Sequence, residues 1–164
     1  MMRKQGEIDM TTFNFKDGNG PVPAHQHSNG GGWVADTATV AETAFVGPDA
    51  QVSGYARVTG DAQVFGDAWV SGYALVSDNA RVSGIARVFG NACVSGNAWV
   101  SGYARVFDNA RVTGDAQVFC YARVFGNALV SDDAQVSGDV EDDDTSEDIF
   151  IEMNGKRYKL VEIA

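Results

Sequence analysis

The sequence predicts an all-β, three-sided parallel β-helix of about six coils, and three observations predict it. A valine falls at every sixth residue from Val40 to Val136, 17 in all and without a gap. An alanine stands two residues before each of them, from Ala38 to Ala134. Longer stretches return at multiples of 18: RVTGDAQVFG (57–66) reappears as RVTGDAQVFC (111–120), 54 residues later.

The unit reads Ala-x-Val-x-Gly/Asp-x, as in YARVTG (55–60), DAQVFG (61–66) and NALVSD (127–132). Ala and Val are two apart, so both point to one side of a short extended segment, and the residues flanking Val point to the other. Glycine supplies the turn because it tolerates positive φ. Asp78, Asp108 and Asp132 take its place in some repeats, as Asp also accepts such turns. A period of six fits neither a helix nor a series of simple hairpins. If three units make one coil, residues 18 apart stack. Asn91, Asn109 and Asn127 then form one column, with Tyr55 and Tyr73 at its start, and Asp61, Asn79, Asn97, Asp115 and Asp133 form another. At a strand separation of about 4.8 Å the rod would be roughly 27 Å long.

The chain has 164 residues, 19 of them Gly and 3 Pro, with Val and Ala dominant. Its formal charge of -10 is unevenly placed. Residues 1–32 are neutral, residues 33–138 hold ten acids and six arginines, residues 139–148 hold seven acids and no base, and the tail from Ile149 is +1. Most of the acidity therefore sits in one short segment. A DNA mimic needs acid spread over a face, and duplex binding needs a basic patch; the repeat body offers neither. No apolar run is long enough for a membrane span, and MMRKQGEIDMTTF lacks the apolar core of a signal peptide. The expected location is cytoplasmic, or the host cytoplasm if the chain is phage-encoded, and a virion component released without secretion fits the same features. Met10 is an alternative start.

Ala-x-Val units in threes resemble the hexapeptide-repeat superfamily, and the resemblance covers about 105 of the 164 residues. It implies a left-handed β-helix and, as in related folds, a homotrimer. AHQHSNGGGWVADTATV (24–40) is similar to the lead-in of phage and prophage hexapeptide-repeat proteins.

Four regions follow from this reading. Residues 1–32 form an N-terminal cap, containing FNF (13–15), a DGNG turn (17–20) and PVPAHQH (21–27). Residues 33–138 are the β-helix. Residues 139–148 are a solvated acidic linker. Residues 149–164 form a β-hairpin around Asn154-Gly155, with Ile149, Ile151, Met153, Tyr158 and Leu160 on one face. Such a hairpin is marginal alone and should dock on the rod or on a partner subunit.

The superfamily is best known for acyltransferases, which place a histidine base in or beside a coil. Here the repeats hold no histidine and no inserted loop; His25 and His27 both precede the first coil. No catalytic residue, cofactor or metal site is expected. His25 and His27 are weak metal candidates, since alternate strand residues share a face, but two ligands are too few. Cys93 and Cys120 are 27 apart, one and a half coils, so they fall on different sides and should not pair.

One face stands out. Arg87, Arg105 and Arg123 form an outward column beside Phe89, Phe107 and Phe125, and Trp69 and Gln51 extend the arginine column. An apolar stripe with arginine suggests an interface. The leading reading is a non-catalytic structural or interaction protein of phage or prophage type that self-associates through this face, with another phage or host protein as the alternative partner. A second reading is a phage effector binding a host protein or a nucleotide signal, with Arg on phosphate and Phe on a base. A third is an atypical acyltransferase. The remaining alternative is that like residues stack simply because ladders suit a solenoid.

Overall fold

The computed structural model describes residues 11–138, 149–153 and 156–160. Strands β1 (Thr12–Asn14), β2 (Pro21–Gln26) and β3 (Trp33–Ala35) are followed by one short strand per repeat, from β4 (Thr39–Val40) to β20 (Gln135–Gly138), and then by β21 (Ile149–Met153) and β22 (Lys156–Leu160). The repeat strands fall into three parallel sheets, each joining every third strand. The result is a three-sided parallel β-solenoid of about six turns with no helix among the described residues. Side 1 starts at Trp33, side 2 at Thr39 and side 3 at Phe45.

The stacking register is 18, as the repeat requires: Arg87 pairs with Arg105 and Val88 with Val106. An amide of one coil donates to a carbonyl 17 residues on, as Arg57 N does to Ala74 O at 2.9 Å. Inside, the valine and alanine columns are almost wholly buried. Burying each Val contributes about 1.5–3 kcal/mol, and the ladder makes neighbouring coils share that gain. The core begins one repeat before the unbroken pattern, because Val34 is fully buried and pairs with Val52. Gly32 holds the alanine position of that repeat, where an added Cβ would lie 2.5 Å from Val46 Cγ1. At the other end, the residue six beyond Val136 is Asp142. The Ala-x-Val pattern of the sequence ends there.

The turns explain which positions must be glycine. Asp78, Asp108, Cys120 and Asp132 adopt φ values of 57–60°, so all four stand in the left-handed region. Asp78 and Asp108 recover part of that cost, because their Oδ2 atoms accept the amides of Gly96 and Gly126 one coil on, at 3.0 and 3.2 Å. A Cβ at Gly60 would lie 2.9–3.1 Å from the Asp78 backbone. Three of the four side-chain-bearing turns have glycine one coil on: Asp78 has Gly96, Asp108 has Gly126 and Cys120 has Gly138.

The two ends are closed differently. On side 1, β1, β2 and β3 form an antiparallel meander that extends the sheet past the first coil. Its own small core is Phe15, Ala24 and Ala35, with Phe13 stacked on Trp33 at 4.5 Å. On side 3, the turn after β2 lies along β5 (Phe45–Val46), where Gly32 N donates to Val46 O and Val46 N to Asn29 O. At the far end β21 pairs antiparallel with β20, and β22 with β21, so the hairpin strands continue side 3. Their backbone register sets Ile149 opposite Leu160 and Ile151 opposite Tyr158. The shared apolar face expected of these side chains, the Asn154-Gly155 turn, the acidic linker 139–148 and the first ten residues lie outside what is described.

Candidate functional site: the outer face of side 1

The outward columns of side 1 are set by the same register that buries Val. Trp33, Gln51, Trp69, Arg87, Arg105 and Arg123 stack in one column, each paired with the next. Two residues further along each strand run Ala35, Ser53, Ser71, Phe89, Phe107 and Phe125. All seven residues expected to form the face, Trp69 included, are thus brought together.

In the C-terminal half the rings form a continuous stack. Phe89 and Phe107 stack with ring centroids 5.0 Å apart and planes nearly parallel, and Phe107 and Phe125 stack at 5.3 Å. Arg123 joins them, its guanidinium 5.5 Å from the Phe107 ring and 6.0 Å from Phe125, while that of Arg87 lies 5.5 Å from Trp69 in its own column. Phe89 and Phe107, which stack on each other, are half-buried, and only Phe125 of the three is exposed. The stripe is therefore less open than a column of freely exposed Phe. Arg87 and Arg105 are exposed and meet no carboxylate within ion-pair range among the described residues.

Sequence reasoning missed the second flank. Tyr103 and Tyr121 stand two residues before Arg105 and Arg123, at the corner leading into side 1. They stack at 4.7 Å and are 49% and 46% exposed. The cationic column thus runs between two aromatic ones. The signal was the recurrence of Tyr-Ala-Arg-Val-Phe at 103–107 and 121–125.

His25 and His27 do not act as a pair. β2 ends at Gln26 and the chain turns, so the alternation that would place both on one face stops there. His27 is buried, and its Nε2 donates to Ala44 O at 3.0 Å, tying the cap to the first coil. His25 is exposed, and its Nδ1 lies 2.8 Å from Asp36 Oδ1. Asp36 is a partner the sequence did not reveal, because it depends on the antiparallel pairing of β2 with β3. Among the described residues no three His, Cys, Asp or Glu side chains gather to hold a metal. Cys93 lies in a strand of side 2 and Cys120 at the corner before side 1, and both are free thiols.

The YdcK β-solenoid repeat family model matches residues 86–102, 104–118 and 122–138. These segments contain the Arg and Phe columns. No curated protein and no solved structure gives a match. The matched repeats and the three stacked sheets make this chain a repeat β-solenoid protein.

Proposed function

We propose that the protein is a non-catalytic interaction rod of phage or prophage type that self-associates through the C-terminal half of side 1. The observation that carries this reading is the column of Arg87, Arg105 and Arg123 set between Tyr103 and Tyr121 on one side and the Phe89–Phe107–Phe125 stack on the other. Arginine among exposed aromatics is the composition of interface centres. The rigid ladder beneath supports it, since side chains held in stacks lose little further freedom on binding. The lead-in at 24–40 supports the phage-type part of the reading.

Light scattering after size exclusion tests it. The wild type is expected above the 17.4 kDa of one chain, and Phe89→Ser with Phe107→Ser and Phe125→Ser at that mass. Arg87→Glu with Arg105→Glu repeats the test without disturbing the half-buried rings. A wild type at 17.4 kDa throughout, or variants of unchanged mass, overturns the reading. A nucleotide-binding rod would instead gain thermal stability with nucleotide at constant mass.

A further inference from the structure

The three corners of the prism are not alike. The corner between sides 2 and 3 carries Glu42, Asp61, Asp78, Asp115, Asp132 and Asp133, all exposed. The other two corners carry two acids each: Asp36 and Asp108, and Asp49 and Asp67. Six of the ten acids of the repeat body thus lie along one edge, and the arginines of the adjoining sides, Arg57, Arg81 and Arg111, are half as many. In a three-sided rod the corner between sides 2 and 3 lies opposite side 1. The molecule therefore has a cationic face and an acidic edge on opposite flanks.

We propose that the surface docking on the Arg face is the acidic edge of a second copy. This rests on the reading of side 1 as a self-association face and names its partner. Face-to-face pairing of side 1 with itself would bring the two arginine columns together, and like charges at close range oppose contact. The acidic edge has the complementary sign and the same spacing, because both ladders advance one rung per 18 residues. In parallel rods without stagger, Arg105 meets the coil of Asp115 and Arg123 that of Asp132 and Asp133, while Arg87 meets the coil of Asn97, whose corner carries no acid. The flanks also match. Tyr103, Tyr121 and Phe125 border the arginines, while exposed Leu129 and Trp99 border the acidic edge on sides 2 and 3.

Face and edge point in opposite directions, so repeating the contact displaces each copy sideways without turning it. Such a heterologous contact extends as an open row and does not close into a ring of three. The trimer implied by the superfamily resemblance is the competing geometry.

The test uses two full-length variants. Arg87→Glu with Arg105→Glu reverses the face, and Asp115→Lys with Asp133→Lys reverses the edge. Each alone is expected at single-chain mass, an equimolar mixture of the two is expected to regain higher mass, and the wild-type mass is expected to rise with concentration. Raising salt from about 0.05 to about 0.5 M should weaken wild-type association tenfold or more. Asp115 accepts a hydrogen bond from Asn97 Nδ2 at 2.9 Å, so Asp115→Asn with Asp133→Asn keeps an acceptor there and should still weaken association at least fivefold. An edge variant that assembles like the wild type overturns this inference and leaves the self-association reading standing. Failure of the mixture to assemble, or a wild-type mass fixed at three chains over all concentrations, also overturns it. A face variant that assembles normally, or a monomeric wild type, overturns the underlying reading itself.

Discussion

The first three coils of side 1 present Trp33, Gln51 and Trp69 beside Ala35, Ser53 and Ser71; the last three present Arg87, Arg105 and Arg123 beside Phe89, Phe107 and Phe125. The backbone beneath is the same in both halves, with the same Val and Ala buried and the same 18-residue register. In the first half the outer residues look after themselves: Trp33 is covered by Phe13, and Trp69 Nε1 donates to the buried Ser53 Oγ at 3.1 Å. In the second half Arg87 and Arg105 meet no carboxylate among the described residues, while exposed tyrosines border both halves, Tyr55 and Tyr73 the first and Tyr103 and Tyr121 the second. In this rod stability is built inward, and the outward columns are free to differ from half to half.

Interior substitutions should therefore break both halves alike and by the largest amount. Val52→Asp and Val106→Asp each bury an unpartnered carboxylate and should cost about 4 kcal/mol or more. Denaturant midpoints should fall by similar amounts, and a much smaller fall for Val106 would mean that the halves do not share one core.

Turn substitutions come next. Gly72→Ala forces a left-handed turn on a residue whose Cβ would lie 2.9 Å from Gly90 N, whereas a Cβ at Gly126 meets nothing within 4 Å among the described residues. Thermal unfolding should show a cost of about 2 kcal/mol for the first and about 1 kcal/mol for the second. Equal costs would show that coil-to-coil contact does not matter at these turns.

Smaller still is Ser53→Ala, which leaves Trp69 Nε1 without its acceptor. It should cost about 1 kcal/mol in denaturant unfolding and leave the light-scattering mass unchanged. A change of mass would extend the association face into the first half.

The smallest effect belongs to the cap. Asp17 accepts the Asn19 amide at 3.0 Å, and this bond holds its carboxyl below the usual 3.8. A lowered carboxylate value stabilises the fold above the unfolded value, and the contribution disappears as pH falls through the folded one. The small stability difference between wild type and Asp17→Ala should hold steady from neutral pH down toward the usual value of 3.8 and be lost only as pH falls further, through the lowered folded value; a difference that grows on acidification would contradict the assignment.

Much of the fold was legible because the interior is periodic. Val at every sixth residue and Ala two before it left one arrangement in which all could be buried, and the Asn columns at 18 followed, with Asn91 Nδ2 bonded to Asn109 Oδ1 at 3.2 Å. The Arg and Phe columns were legible for the same reason. What escaped depends on contacts between unlike segments. Val34 was hidden because glycine replaces its alanine. Asp36 meets His25 only through an antiparallel pairing, and His27 turns inward because its strand has ended. The acidic edge was not visible as an edge, since its members are scattered from Glu42 to Asp133 and gather only once the three sides are folded around a common axis.

Site-specific photo-crosslinking compares the two halves of side 1 most directly. A benzoylphenylalanine at position 107 is predicted to crosslink to a second copy, with the product mapping near Asp115 and Asp133, while the same probe at position 71 yields single chains. Crosslinked dimers from position 71 in equal amount, or none from position 107 at concentrations where the wild type exceeds single-chain mass, would contradict the account.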